Sequence, residues 1–151
     1  MRQAALRLAI DNASVRSLLN PRQSQPVEYT HSALNLNNRL IGNVRVGQPA
    51  PDAWLAGKDS KQHLSQYFGH SFVLLHFGVA SALNHCEVNK QGVGSVRVVD
   101  IGSNQTQARE RYGAVGEHSH MVVLVRPDGY MMAVWQDGAQ VDMAAALKKL
   151  W

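Results

Sequence analysis

The chain has a single cysteine, Cys86, which stands directly after His85. A thiolate becomes a nucleophile or a peroxide-reducing group when a basic partner lowers the pKa of the thiol. Residues adjacent in sequence rarely face each other productively, and the Pro, Thr and Cys pattern of a peroxidatic loop is missing around this position. We therefore expect an inert thiol, and an oxidoreductase that uses Cys86 is the alternative.

Histidines offer a second chemistry, metal binding. The imidazoles of His118 and His120 would lie on the same side of a strand, and with His76 or His85 they would form a metal site. The nearest carboxylate, Glu117, would point to the opposite face, and two histidines two residues apart are common by chance. The sequence therefore favours polar residues at the start of a strand, and we predict no metal ligands and no catalytic residues.

Two segments invite comparison with nucleotide or anion loops. Gly92-Val93-Gly94 lies before a predicted strand and has Arg97 in place of the third glycine of a GxGxxG fingerprint, so we predict no cofactor-binding residues. In Arg126-Pro127-Asp128-Gly129 the proline has no N–H to donate to an anion. Pro, Asp and Gly suit the corners of a hairpin, so we predict that Arg126, Pro127, Asp128 and Gly129 form a structural turn.

Composition limits the classes of partner. With 151 residues, 45% hydrophobic and 17% charged, the chain fits one globular domain with a modest extra segment. The net charge of +4 is spread along the chain, Lys148-Lys149 is the only adjacent basic pair, and no tryptophan stands in a basic groove. Trp54, Trp135 and Trp151 are expected to be core or interface residues. We expect no nucleic-acid partner.

The sequence also bears on the compartment. It has no run of eighteen apolar residues and no apolar signal-peptide segment near its start. A single cysteine agrees with a reducing environment. We expect a cytoplasmic protein without a membrane partner.

The elements fall into two regions. Residues 4–19 predict an amphipathic helix, and the Pro-, Ser-, Asn- and Gln-rich stretch after it predicts a linker, so residues 1–41 form an N-terminal helix and linker arm. The apolar positions of this helix have no partner within the arm and must pack on another surface; they are Leu8, Val15, Leu18 and Leu19.

Residues 42–151 predict an alternation of strands and helices. The apolar run 71–77 predicts a strand buried on both faces, 96–101 a second strand, and the runs beside Arg126–Gly129 a hairpin. Helices are predicted up to Gly69, partly over 80–94, over 106–113 and over 141–151, and a turn is predicted at 57–59.

Four segments together resemble the C-terminal domain of FAD-dependent aromatic-ring monooxygenases, the group of phenol, hydroxyphenylpropionate and polyketide hydroxylases. The most specific is LVRPDGY in its place before a terminal helix; the segments are GQPAPDAWL (47–55), FVLL (72–75), RYG (111–113) and VLVRPDGY (123–130). The resemblance implies an α/β, thioredoxin-like fold over residues 42–151, with a central mixed β-sheet flanked by helices and an N-terminal helical arm. In that family the domain is appended to a flavin domain and serves packing and subunit contacts.

Departures from the pattern limit the function. The GxGxxG fingerprint is absent, so FAD, the cofactor of the parent family, is not expected on this chain. Genuine thioredoxins have CxxC where this chain has Gly78-Val79-Ala80-Ser81, and no proline precedes Met121, where they have a cis one. We therefore predict a non-catalytic association or dimerisation domain that lacks the flavin-binding domain and pairs with a second copy or a flavin domain. The alternative is a stand-alone thioredoxin-like or peroxiredoxin-like oxidoreductase using Cys86.

Overall fold

Strands dominate the computed structural model of the chain, in which residues 26–56, 61–78 and 96–136 are described. The predicted helices over 4–19, 80–94 and 141–151, and the turn at 57–59, lie outside these residues. None of the helices within the described ranges is long and apolar enough to cross a membrane. The described elements are the strands β1 (Leu40–Ile41), β2 (Val44–Arg45), β3 (Trp54–Ala56), β4 (Lys61–His63), β5 (Phe72–Phe77), β6 (Val96–Ile101), β7 (Met121–Val125) and β8 (Met131–Gln136), the helix α1 (Thr106–Tyr112), and the 3₁₀ helices Leu64–Tyr67 and Gly116–His118.

The centre of the fold is a four-stranded mixed sheet with the order β6-β5-β7-β8. Strand β5 runs parallel to β6 and antiparallel to β7, and β7 and β8 form an antiparallel hairpin. Five of the six β5 residues are buried. Val73, Leu75 and Phe77 join the larger hydrophobic cluster, whereas Leu74 joins a second cluster on the other face of the sheet. The prediction of a strand buried on both faces is confirmed, and β6 covers the predicted residues 96–101.

Arg126 to Gly129 form the turn between β7 and β8. The Gly129 amide donates to the Arg126 carbonyl over 2.9 Å, and the Arg126 amide donates to the Tyr130 carbonyl over 2.8 Å. Gly129 has φ +83°, in the left-handed region that favours glycine. Asp128 accepts the Tyr130 amide over 3.2 Å, and its carboxylate also pairs with the Arg126 guanidinium. The side chains of Arg126 and Asp128 are therefore engaged within the turn.

Helix α1 ends as predicted, at a glycine. Gly113 has φ +67°, and a Cβ at this position would lie 2.4 Å from the Asn43 amide nitrogen. This close approach lets Asn43 cap the helix, because its backbone amide donates to the Tyr112 carbonyl and its Nδ2 to the Glu110 carbonyl, each over 3.1 Å. The turn between β1 and β2 thereby satisfies carbonyls that the helix leaves without partners.

The helix expected to reach Gly69 is wrong in type and length. A 3₁₀ helix spans Leu64–Tyr67 instead, and Phe68 already has extended backbone angles, φ −85° and ψ 167°. The reason is the β3–β4 hairpin, which the sequence did not reveal and which occupies the chain up to His63. Four residues before an extended one are too few for a stable α-helix.

Candidate functional site at the ends of β5 and β6

A buried histidine and a carboxylate meet where the parallel strands β5 and β6 end. His76 and Asp100 are paired in the ladder, each one residue before the end of its strand. The His76 Nδ1 atom lies 2.9 Å from Asp100 Oδ1. The imidazole is 2% exposed, whereas the carboxylate is 47% exposed. Because an ionised carboxylate only accepts, the contact places the Nδ1 proton on His76 and directs its Nε2 lone pair away from Asp100.

The imidazole of His120, the residue directly before β7, lies close to the same place. His76 pairs with Val122 across the β5–β7 ladder, and His120 stands two residues earlier, next to Gly78. A Cβ built on Gly78 would lie 3.0 Å from His76 Nε2 and 3.2 Å from His120 Nδ1. A side chain at residue 78 would therefore be crowded by both imidazoles, and glycine allows the two rings to approach the backbone at this point.

Arg109, from helix α1, connects the end of β6 to the segment that leads into β7. One guanidinium nitrogen donates to the Ile101 carbonyl over 3.3 Å and the other to the Ser119 carbonyl over 2.7 Å. Ile101 follows Asp100, and Ser119 precedes His120. A charged fork of this kind bridges two acceptors with a fixed geometry, so the helix fixes the distance between the end of β6 and the entry to β7.

His118 does not join this site. Its segment forms the 3₁₀ helix Gly116–His118 instead of a strand, so the expected alternation of His118 and His120 along a strand is wrong. Its Nε2 lies 3.5 Å from Glu117 Oε1, so Glu117 does not point away from it as expected. Of the proposed histidine partners, His76 does approach His120, and His85 lies outside the described residues together with Cys86. Within residues 26–56, 61–78 and 96–136, no group of three or more His, Cys, Asp and Glu could hold a metal ion.

A second carboxylate–histidine pair, which the sequence did not reveal, joins the segment before β3 to the 3₁₀ helix Leu64–Tyr67. Asp52 Oδ2 lies 2.8 Å from His63 Nδ1, and Asp52 Oδ1 accepts the Ser65 amide over 2.9 Å. Burial alone would raise the pKa of Asp52, but the hydrogen bonds from Ser65 and the bond and charge of His63 together lower this pKa from 3.8. The lowered pKa means that the ionised form of Asp52 is the form that stabilises the fold.

Trp54 borders an open cavity, so of the two expected positions, core or interface, it does not occupy the core one. It is 42% exposed, and its ring lies against the His63 ring, with centroids 3.6 Å apart and planes inclined at 39°. The cavity measures about 440 Å³, and its lining consists of Trp54, Ala56 and residues 104–107. Trp135 is buried, as expected of a core residue, and Trp151 lies outside the described residues.

The side chains at this cavity mainly hold the β3 edge. The Gln105 amide both accepts from the Ala56 backbone over 2.7 Å and donates to it over 2.9 Å. Gln107 accepts the Trp54 amide over 2.9 Å. These polar groups are therefore bonded to the backbone of β3. The geometry of the cavity does not indicate a specific ligand.

Residues 43–151 match the family model described as aromatic-ring hydroxylase, C-terminal. The chain belongs to this family. The match covers most of the chain and includes the ends of β5 and β6, the hairpin turn and the segment that carries Cys86. It also confirms the resemblance drawn from GQPAPDAWL and VLVRPDGY.

Solved structures of flavin enzymes are similar to this hydroxylase-family chain. A ternary complex of aklavinone-11 hydroxylase with FAD and aklavinone is 21% identical, with a TM-score of 0.57, over 85% of this chain and 25% of that one. The rebeccamycin biosynthetic enzyme RebC with reduced flavin is 22% identical, with a TM-score of 0.55, over 99% and 28%. The flavin-dependent monooxygenase PieE in complex with FAD and substrate is 22% identical, with a TM-score of 0.50, over 98% and 30%.

At these identities the similarity shows the fold, and the chain spans between a quarter and a third of the length of these enzymes. None of the curated protein sequences matches the chain significantly.

The described residues do not fit the pyrophosphate of FAD. Their one strand–loop–helix unit is β6, residues 102–105 and α1. Its loop has one glycine, Gly102, where a dinucleotide fingerprint needs three, and the Asn104 Oδ1 atom would lie 2.9 Å from a Cβ at that glycine. The Asn104 side chain thus lies directly beside the single glycine of this loop.

Proposed function

We propose that this chain is a non-catalytic, thioredoxin-like association domain of the FAD-dependent phenolic hydroxylase type, and that it works together with a flavin-binding part which its own described residues do not provide. The observation that carries the proposal is the family match over residues 43–151, in a chain that spans 25–30% of the similar flavin enzymes. FAD and the aromatic substrate then belong to that flavin-binding part.

The arrangement of the sheet supports the thioredoxin-like assignment. A parallel pair, β5 and β6, is followed by α1 and then by the antiparallel hairpin β7–β8, and all four strands share one mixed sheet. Helix α1 contributes Ala108 and Tyr112 to the cluster on one face. This is the strand and helix alternation that the resemblance implies.

The surface supports association. Seven large hydrophobic side chains are exposed among the described residues, and four of them lie in residues 26–41; these four are Val27, Tyr29, Leu34 and Leu40. This stretch is the C-terminal part of the proposed arm, residues 1–41. Apolar side chains grouped on one short segment mark a contact surface more often than single scattered ones do. We propose that the arm, including residues 26–41, contacts a second copy of the chain or a flavin domain.

Sedimentation of the full chain over a wide concentration range tests self-association, and a mixture with the separately produced flavin-binding part of a family hydroxylase tests the second partner. The proposal expects a dimer or a mixed complex. A chain that remains monomeric in both experiments contradicts it.

Absorbance and activity distinguish the alternatives. We expect the purified chain to be colourless after incubation with FAD and removal of excess cofactor, because the flavin site is expected elsewhere. We also expect no peroxide reduction that depends on Cys86. A peroxide-reducing activity that the Cys86→Ser variant loses would contradict the proposed association domain and support the oxidoreductase alternative.

A further inference from the structure

We propose that the outer edge of β6 binds an extended peptide segment of a partner protein, which adds to the central sheet as an antiparallel strand. Among the described residues, β6 is bonded to β5 alone, so one of its edges has no strand beside it. Such an edge presents a row of backbone N–H and C=O groups, and strand addition uses these groups for binding. The inference does not depend on the association role proposed above, because it concerns a different surface from residues 26–41.

The two outer strands of the sheet differ in what covers them. Leu36 and Asn37 bond to the backbone of β8 along its outer edge. The side chains along β6 are instead open to solvent, because Arg97, Val98 and Asp100 are all exposed. Val98 is 38% exposed although its side chain is large and apolar. Strand β6 is therefore the edge at which a further strand can pair.

An open groove borders this edge. Its volume is about 340 Å³, and it is lined by β6 and by the β3–β4 hairpin, which contributes Leu55, Ala56 and Gln62. Pockets that hold small ligands begin at about this size. The groove can therefore receive side chains of an added strand.

Two charged side chains of β6 determine the chemistry of the partner. The Arg97 guanidinium lies over the Tyr67 ring, 4.5 Å from its centroid, and makes no hydrogen bond or ion pair within the described part of the chain. The Tyr67 hydroxyl donates to Gln62 over 3.0 Å, which holds the ring beside the guanidinium. Asp100 bonds to His76 through Oδ1 only, and the carboxylate is 47% exposed. One cation and one carboxylate oxygen thus remain available to a ligand.

The spacing of these charges specifies the partner sequence. Arg97 and Asp100 are three positions apart, so they lie on opposite faces of the strand. Residues directly opposite each other in an antiparallel pair share a face, and opposite charges stabilise such a pair. The matching peptide therefore has a basic residue opposite Asp100 and, three residues later, an acidic residue opposite Arg97. An apolar residue directly before the acidic one lies opposite Val98.

The probe is the blocked hexapeptide acetyl-Thr-Lys-Thr-Val-Glu-Thr-amide, titrated into the full, isotope-labelled chain up to millimolar concentration and followed by nuclear magnetic resonance of the backbone amides. We expect saturable shifts centred on Val96–Ile101. Arg97→Glu should weaken binding by about fivefold or more. A second peptide, with Lys in place of Glu, should bind this variant more tightly than it binds the unaltered chain. Arg45→Glu, the same charge change at an exposed residue elsewhere, should bind both peptides as the unaltered chain does.

Backbone N-methylation of the peptide distinguishes strand addition from a purely ionic contact. Alternate amides of an added strand face β6 or face solvent, so the peptide methylated at Lys and Val and the one methylated at the central Thr and Glu should differ. One of them should lose binding and the other should retain it. The amide spectrum also shows that each variant is folded. Unchanged β6 amides at millimolar peptide overturn the proposal, and so does equal binding by the two methylated peptides or by folded Arg97→Glu and the unaltered chain.

Discussion

The Asn37 side chain pairs with both backbone polar groups of Val134, a residue 97 positions further along the chain. Its Nδ2 donates to the Val134 carbonyl over 3.1 Å, and its Oδ1 accepts the Val134 amide over 3.4 Å. The Leu36 amide donates to the Met132 carbonyl over 3.0 Å on the same edge. A polar segment that sequence patterning assigns to a linker thus covers the outer edge of β8, which would otherwise be open to pairing with another chain.

Asn37→Asp should destabilise the domain by about 1–3 kcal/mol, because the carboxylate replaces the donor that the Val134 carbonyl requires. Urea denaturation of both proteins at neutral pH measures the difference. Gln66→Glu makes the same amide-to-carboxylate change on an exposed side chain and should leave the free energy of unfolding nearly unchanged. Equal midpoints for Asn37→Asp and the unaltered chain would show that the contact with Val134 contributes nothing.

Gly129→Val should destabilise the fold by about 1–2 kcal/mol. The cost comes from the backbone, because φ is +83° and a Cβ at this position would meet no atom within 4 Å. Gly129→Asn is the matched control, since asparagine tolerates the left-handed region better than a β-branched residue does, and its loss should be smaller. Thermal unfolding of the two variants gives the comparison. A valine variant that melts with the unaltered chain contradicts the assigned turn.

Acidification should remove the contribution of Asp52. Its pKa in the folded chain is lowered from 3.8, so its contribution to stability is fully present above the unfolded value and is lost as the pH falls through the folded one. Asp52→Asn should therefore be less stable than the unaltered chain at neutral pH, and the difference should shrink toward pH 3. Urea unfolding at several pH values measures it. Glu110→Gln, which neutralises an exposed carboxylate elsewhere, serves as the control, and a difference independent of pH contradicts the assignment.

Sequence patterning was sufficient where a local signal decides the structure. The continuous apolar run of β5 specifies a strand buried on both faces, and Pro127 and Gly129 mark the hairpin. The β3–β4 hairpin was missed because its strands are three residues long and show no periodicity. The role of Asn37 was missed because hydrogen bonds between distant segments leave no local pattern.

The candidate site carried a signal that could have been used. Strands β5 and β6 are both six residues long, and each has a polar residue, His76 or Asp100, at its fifth position. A parallel in-register pair brings such positions together, as the ladder shows. The sequence could not reveal that Gly78 and His120 meet at the same place, because β7 joins β5 only in the folded sheet.

Tyr112→Phe should preserve or increase stability, by up to about 1 kcal/mol. The Tyr112 hydroxyl is buried and has no hydrogen-bond partner among the described residues. Burial, and then the charge of Asp52, raise the pKa of this hydroxyl. An unsatisfied buried hydroxyl is costly, so its removal relieves the fold. Tyr67→Phe is the control, because the Tyr67 hydroxyl donates to Gln62 over 3.0 Å, and it should be neutral or slightly destabilising. A clear loss of stability in Tyr112→Phe would reveal a partner for this hydroxyl.

The proposed contact surface can be tested without truncating the chain. Truncation before Gly42 would also remove Asn37 and open the edge of β8, so substitutions of exposed side chains are cleaner. Leu34 and Leu40 are 55% and 59% exposed, and Val115, outside residues 26–41, is 53% exposed. Lysine at both leucines should keep the fold, because neither side chain is part of the core.

The paired substitution Leu34→Lys with Leu40→Lys should weaken association by about tenfold or more, since placing charges at the apolar centre of an interface costs more than 1 kcal/mol. A standard interface buries about 1,600 Å² in total, so two such positions are a substantial part of one side. Val115→Lys should associate as the unaltered chain does. Sedimentation of the three proteins decides the matter: equal dissociation constants would exclude residues 26–41 from the interface, and a monomeric unaltered chain would leave the flavin domain as the remaining proposed partner.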